Sequence, residues 1–373
     1  MKPRLHKILS KKKFEKNDIV ELLSETDSVE KNKIRQKAYS IKRKKLSNAV
    51  YFRGLIEYSN ICSRNCFYCG VRAGNTHVNR YQLSDKEVLE AVDYAWKNKF
   101  ASIVIQSGER KDNDFVRKID NLLKKIKQNT NNEIGITLSC GEQSEETYKK
   151  WFESGAHRYL LRIETTNEKL FNKIHPVNEE VNFASRLKAL ELIKKTGYQT
   201  GTGVMIGLPF QLIDDLANDL MFFKDFDIDM VGMGPYIECN NTPLSIHNNI
   251  LQPLNERFEL SLLMISVLRI MMKDINIASS TALQAIHPMG REKGLLAGAN
   301  VIMPNITPLK HRVDYLLYKY KPGTNEKCDT VKSRLENNIK LLDEEIAYGK
   351  WGDSKHFFAK RKNKFNSATQ SEN

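Results

Sequence analysis

Cys62, Cys66 and Cys69 lie within eight residues, in the run Cys62-Ser63-Arg64-Asn65-Cys66-Phe67-Tyr68-Cys69-Gly70. Thiolates are soft ligands suited to iron–sulfur clusters and zinc. A cubane cluster normally takes four of them. Three in one tight loop would leave one iron open to a substrate or cofactor. The alternative is a structural zinc ion with a nearby histidine such as His77 as fourth ligand. The other three of the six cysteines, Cys140, Cys239 and Cys328, are scattered. The amino-terminal stretch is charged and lacks the apolar core of a secretory signal. Disulfides are therefore not expected, and a reducing, cytoplasmic setting is.

These residues need a framework, and the chain supplies a regular one. Strands are expected at Phe52–Tyr58, Ala101–Gln106, Glu133–Leu138, Arg158–Glu164, Gln199–Ile206, Met230–Met233, Ile275–Ser280 and Ala299–Met303. Helical patterns lie between them, one opened by the capping box Ser84-Asp85-Lys86-Glu87. Eight strands alternating with helices predict an α/β chain built as a (β/α)8 barrel, whose active site lies at the C-terminal strand ends. The cysteine loop follows the first strand, so it falls at that mouth. Around it should gather Gln106, Ser107, Thr137, Arg162, Glu164, Met205, Ser280, Thr281 and Met303. Arg162 and Glu164 are two apart and should face the same side. A guanidinium and a carboxylate suit different ligands, so separate roles are expected for them.

Four segments are expected: basic N-terminal helices over 1–50, the barrel over 51–305, an extension packed on it over 306–358, and a disordered basic and polar tail over 359–373. The first segment reads as two short helices, around Asp18–Leu23 and Val29–Arg43. It holds fifteen Lys and Arg against six Asp and Glu, part of a net charge of +14. No RNA-binding module accompanies that charge, so it reads as a solvated face rather than a nucleic-acid surface. The longest apolar stretch, Leu260–Met272, is too short to span a bilayer and contains Arg269.

The cysteine spacing resembles that of the radical S-adenosylmethionine (SAM) enzymes. Longer segments resemble one family among them, the FeFe-hydrogenase maturases called HydE, relatives of biotin synthase and methylornithine synthase. They are Arg53-Gly54-Leu55-Ile56-Glu57-Tyr58-Ser59-Asn60, Val104-Ile105-Gln106-Ser107-Gly108-Glu109, Tyr159-Leu160-Leu161-Arg162-Ile163-Glu164-Thr165, Gly207-Leu208-Pro209, Asp229 to Pro235, and Gly298 to Asn305. The resemblance implies a 4Fe–4S cluster on Cys62, Cys66 and Cys69 with SAM on its open iron. That cluster would reduce the SAM sulfonium, giving methionine and a 5′-deoxyadenosyl radical.

By the same resemblance, Tyr68 lies near the adenine and Ser107-Gly108-Glu109 near the methionyl amino group. Glu164 and Arg186 contact SAM, with Met205 beside them. Gln106, Thr137, Arg162, Ser280, Thr281, Met303, Tyr315 and Tyr318 line the substrate cavity. The implied substrate is a small molecule or cysteine-ligated iron complex. The implied partners are other hydrogenase maturation proteins and a reductant such as ferredoxin or flavodoxin, with no membrane and no nucleic acid. The chain departs from the family in two ways. Only Cys328 follows the barrel where some members hold a second cluster, so a single cluster is expected, with Cys140 a buried thiol. Ser280 and Thr281 stand where paired threonines are expected. Two other readings are a biotin synthase-like or methylornithine synthase-like enzyme acting on an amino-acid-derived substrate, and a zinc-stabilised basic binding protein.

Overall fold

The computed structural model describes residues 2–370 other than 177, 179 and 180. Among the described residues eleven strands form one parallel sheet: β1 (Ala49–Phe52), β2 (Gly54–Ser59), β3 (Ser102–Ser107), β4 (Gly135–Ser139), β5 (Ala156–Leu160), β6 (Gln199–Thr202), β7 (Met205–Ile206), β8 (Met230–Pro235), β9 (Asn276–Ser279), β10 (Val301–Ile302) and β11 (Glu345–Ile346). β1 and β2 are one run interrupted only at Arg53; β1 pairs with β10 and β2 with β3. A bridge from Leu55 to Asn305 brings the two sides together. β6 and β7 likewise make one interrupted strand against β8. Counting each interrupted pair once and setting β11 aside leaves the eight expected barrel strands.

Fully apolar strands such as Ile103-Val104-Ile105 are buried on both faces, as a helix-covered parallel sheet requires. The covering helices include α4 (Asp85–Lys97), α5 (Asn113–Asn129), α6 (Glu145–Glu153), α8 (Phe183–Thr196), α9 (Ile213–Asp225) and α10 (Leu254–Met271). The Ser84 capping box is formed, with Ser84 Oγ accepting from Glu87 N and the Glu87 carboxylate accepting from Ser84 N. The apolar stretch 260–272 falls largely in α10, inside the core. Arg269 is fully buried there, its guanidinium donating to the carbonyls of Gly298 and Ile275 and to Asn300 Oδ1. Among the described residues no helix is long and apolar enough to cross a membrane.

The structure differs from the sequence reading at both ends. Three helices, not two, precede the barrel: α1 (Pro3–Ser10), α2 (Lys16–Leu23) and α3 (Ser28–Leu46). The extra one buries Leu5, Ile8 and Leu9, a short apolar pattern beside the Lys11-Lys12-Lys13 run, and pairs Arg4 with Glu21 at 2.5 Å. At the other end, the expected disordered tail is helical as far as Gln370, in α14 (Lys355–Gln370); residues 371–373 lie outside the described residues. Its first turns are pinned to the barrel. His356 contacts Asp227 and Asp274 at 2.6 and 3.1 Å, Lys360 pairs with Asp229 at 2.7 Å, and Phe357 is buried.

Just before α14, residues 351–354 cover the N-terminal ends of the strands. Gly352 O accepts from Arg53 Nη2 (2.9 Å) and Asn276 Nδ2 (2.8 Å). Asp353 pairs with Arg158, and Ser354 N donates to Gln199 Oε1 at 2.9 Å. A side chain at Gly352, where φ is +65°, would place its Cβ 2.4 Å from the Tyr51 ring. Only glycine suits this closely packed left-handed position.

Candidate active site

The loop after β2 is fixed by main-chain hydrogen bonds. Asn60 Nδ2 donates to Asn79 O and Asp314 O (2.8 and 2.7 Å). The Arg80 guanidinium donates to Asn60 O, Val71 O and Arg72 O (2.6, 2.8 and 2.6 Å), tying the loop to itself. The close approach of β3 demands a glycine: a Cβ at Gly108 would lie 2.4 Å from Ile61 O and 2.8 Å from Cys62 Cβ. Glu109 N and Arg64 N consequently donate to Cys62 Sγ at 3.3 and 3.4 Å.

Cys62, Cys66 and Cys69 all line one cavity of about 340 Å³ at the C-terminal ends of the strands. Burial pushes their thiols upward, Cys66 to about 12. Deprotonated sulfurs in this setting need compensating positive charge, which a metal centre supplies. His77, the candidate zinc ligand, is exposed on the loop and does not line the cavity.

A chain of buried charges crosses the cavity wall. Arg64, inside the cysteine motif, pairs with Glu109 and, at 2.9 Å, with Glu142. Glu142 also accepts from Arg186 Nε at 2.6 Å, and Arg186 Nη1 donates to Arg162 O. Burial raises the Glu109 carboxyl, opposed by Arg64. Glu164 sits beyond β5 with φ +66°, in the left-handed region, and forms a bridge with Val204. The strand expected over Arg158–Glu164 therefore ends at Leu160. The turn leaves Glu164 Oε2 3.0 Å from Arg162 Nη2, so the two residues expected to act apart are paired. That contact lacks hydrogen-bond geometry: Glu164 Oε2, Arg162 Nε and Ser280 Oγ are buried and without hydrogen-bond partners among the described residues. These orphaned groups belong to residues lining the cavity, as expected where a polar ligand binds.

Most other predicted positions meet here. Gln106, Ser107, Met205, Thr281, Met303, Tyr315 and Tyr318 line the cavity. Tyr318 OH donates to Thr281 Oγ1 at 2.8 Å, and Gln106 Nε2 to Tyr315 OH at 3.4 Å. Tyr68 OH lies 3.3 Å from His175 Nε2. Because His175 Nδ1 faces the Phe171 carbonyl at 3.0 Å, it is the donor there, and Nε2 accepts from the tyrosine. Burial keeps this imidazole neutral, with its pKa down at about 3.

Thr137 is the exception. β4 runs to Ser139, one residue beyond the expected end, so Thr137 sits lower in the barrel. It accepts from Arg158 Nε at 2.8 Å and lines a separate cavity of about 30 Å³ with Arg53 and Met230. Ser139 occupies the mouth instead. The sequence reading also missed Arg64, Glu142, Glu57 and Lys321. Glu57 and Lys321 form a buried ion pair in the cavity wall, with Asn305 Nδ2 donating to Glu57 Oε2 at 3.0 Å. Arg64 was discoverable from its place between two cysteines, and Glu142 from its place just past a strand end. Cys140 is fully buried, with its thiol raised to about 12, and does not line the cavity.

A parallel barrel with three cysteines in one loop at its mouth, beside a buried acid–base wall, is the arrangement of a radical SAM enzyme. The family model for the Radical SAM superfamily matches residues 56–223. The chain is 40% identical to the [FeFe] hydrogenase maturase subunit HydE of Thermotoga maritima, over 94% of this chain and 97% of that protein. It is 27% identical to the 3-methylornithine synthase of Methanosarcina acetivorans, over 83% of this chain and 85% of that protein. Among solved structures, methylornithine synthase superposes with a TM-score of 0.77 at 22% identity, covering 93% of this chain and 98% of that one. The hydrogenase maturase HydG gives 0.74 at 19% identity, covering 92% and 75%. The two structural likenesses establish the fold. With its near full-length likeness to the Thermotoga protein, the chain belongs to the HydE family of radical SAM enzymes. Membership implies a 4Fe–4S cluster and SAM.

Proposed function

We propose that this chain is a maturase that acts in assembling the active-site cluster of an FeFe hydrogenase, alongside other maturation proteins. The observation that carries this reading is the cavity of about 340 Å³ in which three thiols and the buried Arg–Glu chain meet unpartnered polar groups. Its support from outside is the 40% identity over nearly the whole chain. Cys62, Cys66 and Cys69 would hold one 4Fe–4S cluster, leaving an iron for SAM. When bound, that pair supplies a 5′-deoxyadenosyl radical by one-electron cleavage of the sulfonium.

The protein's own part is positioning and exclusion of water. Glu109 and Glu164 would accept from the ammonium and ribose hydroxyls of SAM. Arg186 would face its carboxylate while Glu142 holds the guanidinium in place. Tyr68, held by His175, would flank the adenine with Met205. Arg162, Ser280, Thr281 and Tyr318 would bind the polar end of a small, amino-acid-derived iron species, with Gln106, Tyr315 and Met303 closing the cavity round it.

The test is in vitro maturation of apo-hydrogenase with purified partner maturases, the reconstituted protein being added or withheld. Hydrogenase activity should depend on it. SAM cleavage without hydrogenase activation would favour the methylornithine synthase-like reading.

A further inference from the structure

The cysteine loop is tied to the end of one short helix, α7 (Glu168–Ile174). Phe67 N donates to Ile174 O at 2.9 Å, and Phe67 and Tyr68 pack on a small apolar cluster that includes Leu170 and Ile174. His175, the residue after Ile174, is thereby set beside Tyr68. The two rings meet edge to face with centroids 5.4 Å apart, and the Tyr68 hydroxyl lies 3.3 Å from His175 Nε2. The imidazole is itself clamped. It is buried and stacks on the Phe171 ring, centroids 4.0 Å apart. Arg186 Cζ stands 5.9 Å from the centroid of that same Phe171 ring. Burial and, after it, the Arg186 charge hold the imidazole neutral.

A phenol has one proton to donate. With His175 Nδ1–H committed to the Phe171 carbonyl, Nε2 is an acceptor, and among the described residues Tyr68 is the donor that reaches it. Two other acceptors lie within the influence of this hydroxyl. Burial raises the Cys66 thiol and the Glu164 carboxyl, and the Tyr68 hydroxyl is among the groups opposing that rise in each. The proton given to His175 is therefore a proton withheld from Cys66 Sγ.

We infer that His175 is a positioning residue that tunes the reduction potential at the cysteine loop: by holding the Tyr68 hydroxyl, it keeps an O–H···S bond off the Cys66 sulfur. The inference rests on the reading above that Cys66 ligates a 4Fe–4S cluster. Adding one electron makes the sulfurs around such a cluster more negative. A hydrogen bond to one of them then stabilises the reduced form and raises the potential. A Cys66 sulfur left without that bond makes the reduced centre a stronger reductant, which is what cleavage of a sulfonium demands.

The test is a redox titration of the reconstituted protein without SAM, followed by the electron paramagnetic resonance of the reduced centre. His175→Phe should shift the equilibrium toward the reduced form by about tenfold, the scale of one hydrogen bond gained, which is about 59 mV for one electron. His175→Gln, whose amide oxygen can accept in place of Nε2, should titrate with the unmodified protein. So should Tyr68→Phe, and His175→Phe combined with Tyr68→Phe, because neither has a hydroxyl to redirect. No shift in His175→Phe would overturn the inference, placing the freed hydroxyl on Glu164 or on water. An equal shift with and without the Tyr68 hydroxyl would overturn it too, since the effect would then come from repacking. Where His175→Phe fails to fold, Tyr68→Phe still decides. An unchanged potential supports the inference, and one below that of the unmodified protein would show the hydroxyl already bonded to Cys66 Sγ, overturning it. A Cys66→Ala protein that keeps the full cluster signal would instead refute the reading of Cys66 as a ligand.

Discussion

Arg162 Nη2 lies 3.0 Å from Glu164 Oε2 across the turn that ends β5. Burial raises the Glu164 carboxyl, and Arg162 is the first charge opposing that rise. The two side chains therefore share one electrostatic environment, whichever ligand each contacts. Glu164→Gln should weaken SAM binding by one to two orders of magnitude, the scale of a lost charge-assisted hydrogen bond at roughly 1.5–3 kcal/mol. Arg162→Met should weaken it less, and the loss should deepen as pH falls, because Glu164 then protonates more readily. Calorimetric SAM titrations from pH 6 to 8 check this; a pH-independent Arg162→Met affinity equal to wild type would dissociate the pair.

Glu142 does not line the cavity, yet it holds both Arg64 and Arg186. Glu142→Gln should leave two buried guanidiniums short of charge, lowering the melting temperature and raising the SAM Kd at least tenfold. Glu142→Asp should recover part of the affinity. Unchanged SAM binding in both would reduce this residue to scaffolding.

The cysteines should carry one cluster. Reconstitution with iron and sulfide is expected to give about four irons per chain. Cys66→Ala should abolish the visible charge-transfer band and SAM cleavage together. With Cys62, Cys66 and Cys69 all replaced by Ala, any remaining iron–sulfur signal in electron paramagnetic resonance would show that Cys140, Cys239 or Cys328 is a ligand.

Asp219 is fully buried and accepts from Thr166 N and Oγ1 at 2.7 and 2.6 Å. Desolvation nevertheless raises its carboxyl to about 7. A folded-state value above the unfolded one means that the native state binds the proton more tightly. Its contribution is thus full below about pH 4 and is lost as pH rises through 7. At 1.36 kcal/mol per unit the loss is bounded by roughly 4 kcal/mol. Asp219→Asn should flatten the fall in denaturant stability between pH 5 and 8, and a slope identical to wild type would refute the assignment.

Lys321 and Glu57 are both buried, and burial pushes the lysine down. Lys321→Met should destabilise by about 3–5 kcal/mol, because it strands a carboxylate in the cavity wall. Adding Glu57→Gln should restore much of the stability. Additive losses in urea denaturation would mean that the two residues act separately.

Local patterns carried most of the fold. Apolar runs of strand length, separated by capped helices, are enough to count eight strands, and the first of them delivers the cysteines to the mouth. Strand ends were less legible. The left-handed turn at Glu164 and the one-residue extension of β4 depend on tertiary pairing, which periodicity does not report. A one-residue error in an end was sufficient to misplace Thr137. The cavity's second layer was hidden in part for another reason: Lys321 matters through Glu57, a partner distant in sequence, and a lone lysine in a loop carries no spacing signal. The helical tail was obscured by its own composition, since a few contacts around His356 outweigh a polar, basic sequence.

The packing of residues 351–354 against the N-terminal strand ends turns the barrel into a vessel with a stoppered base. The cysteines stand at its rim and Arg162, Ser280 and Tyr318 line its wall, so whatever reacts inside passes the place where SAM would sit. Such a vessel fills and empties last in, first out. The substrate would then enter ahead of SAM, and its product would leave only after methionine and deoxyadenosine had gone. Turnover would then be throttled by the departure of the spent cofactor rather than by the chemistry, and added methionine should trap the product inside.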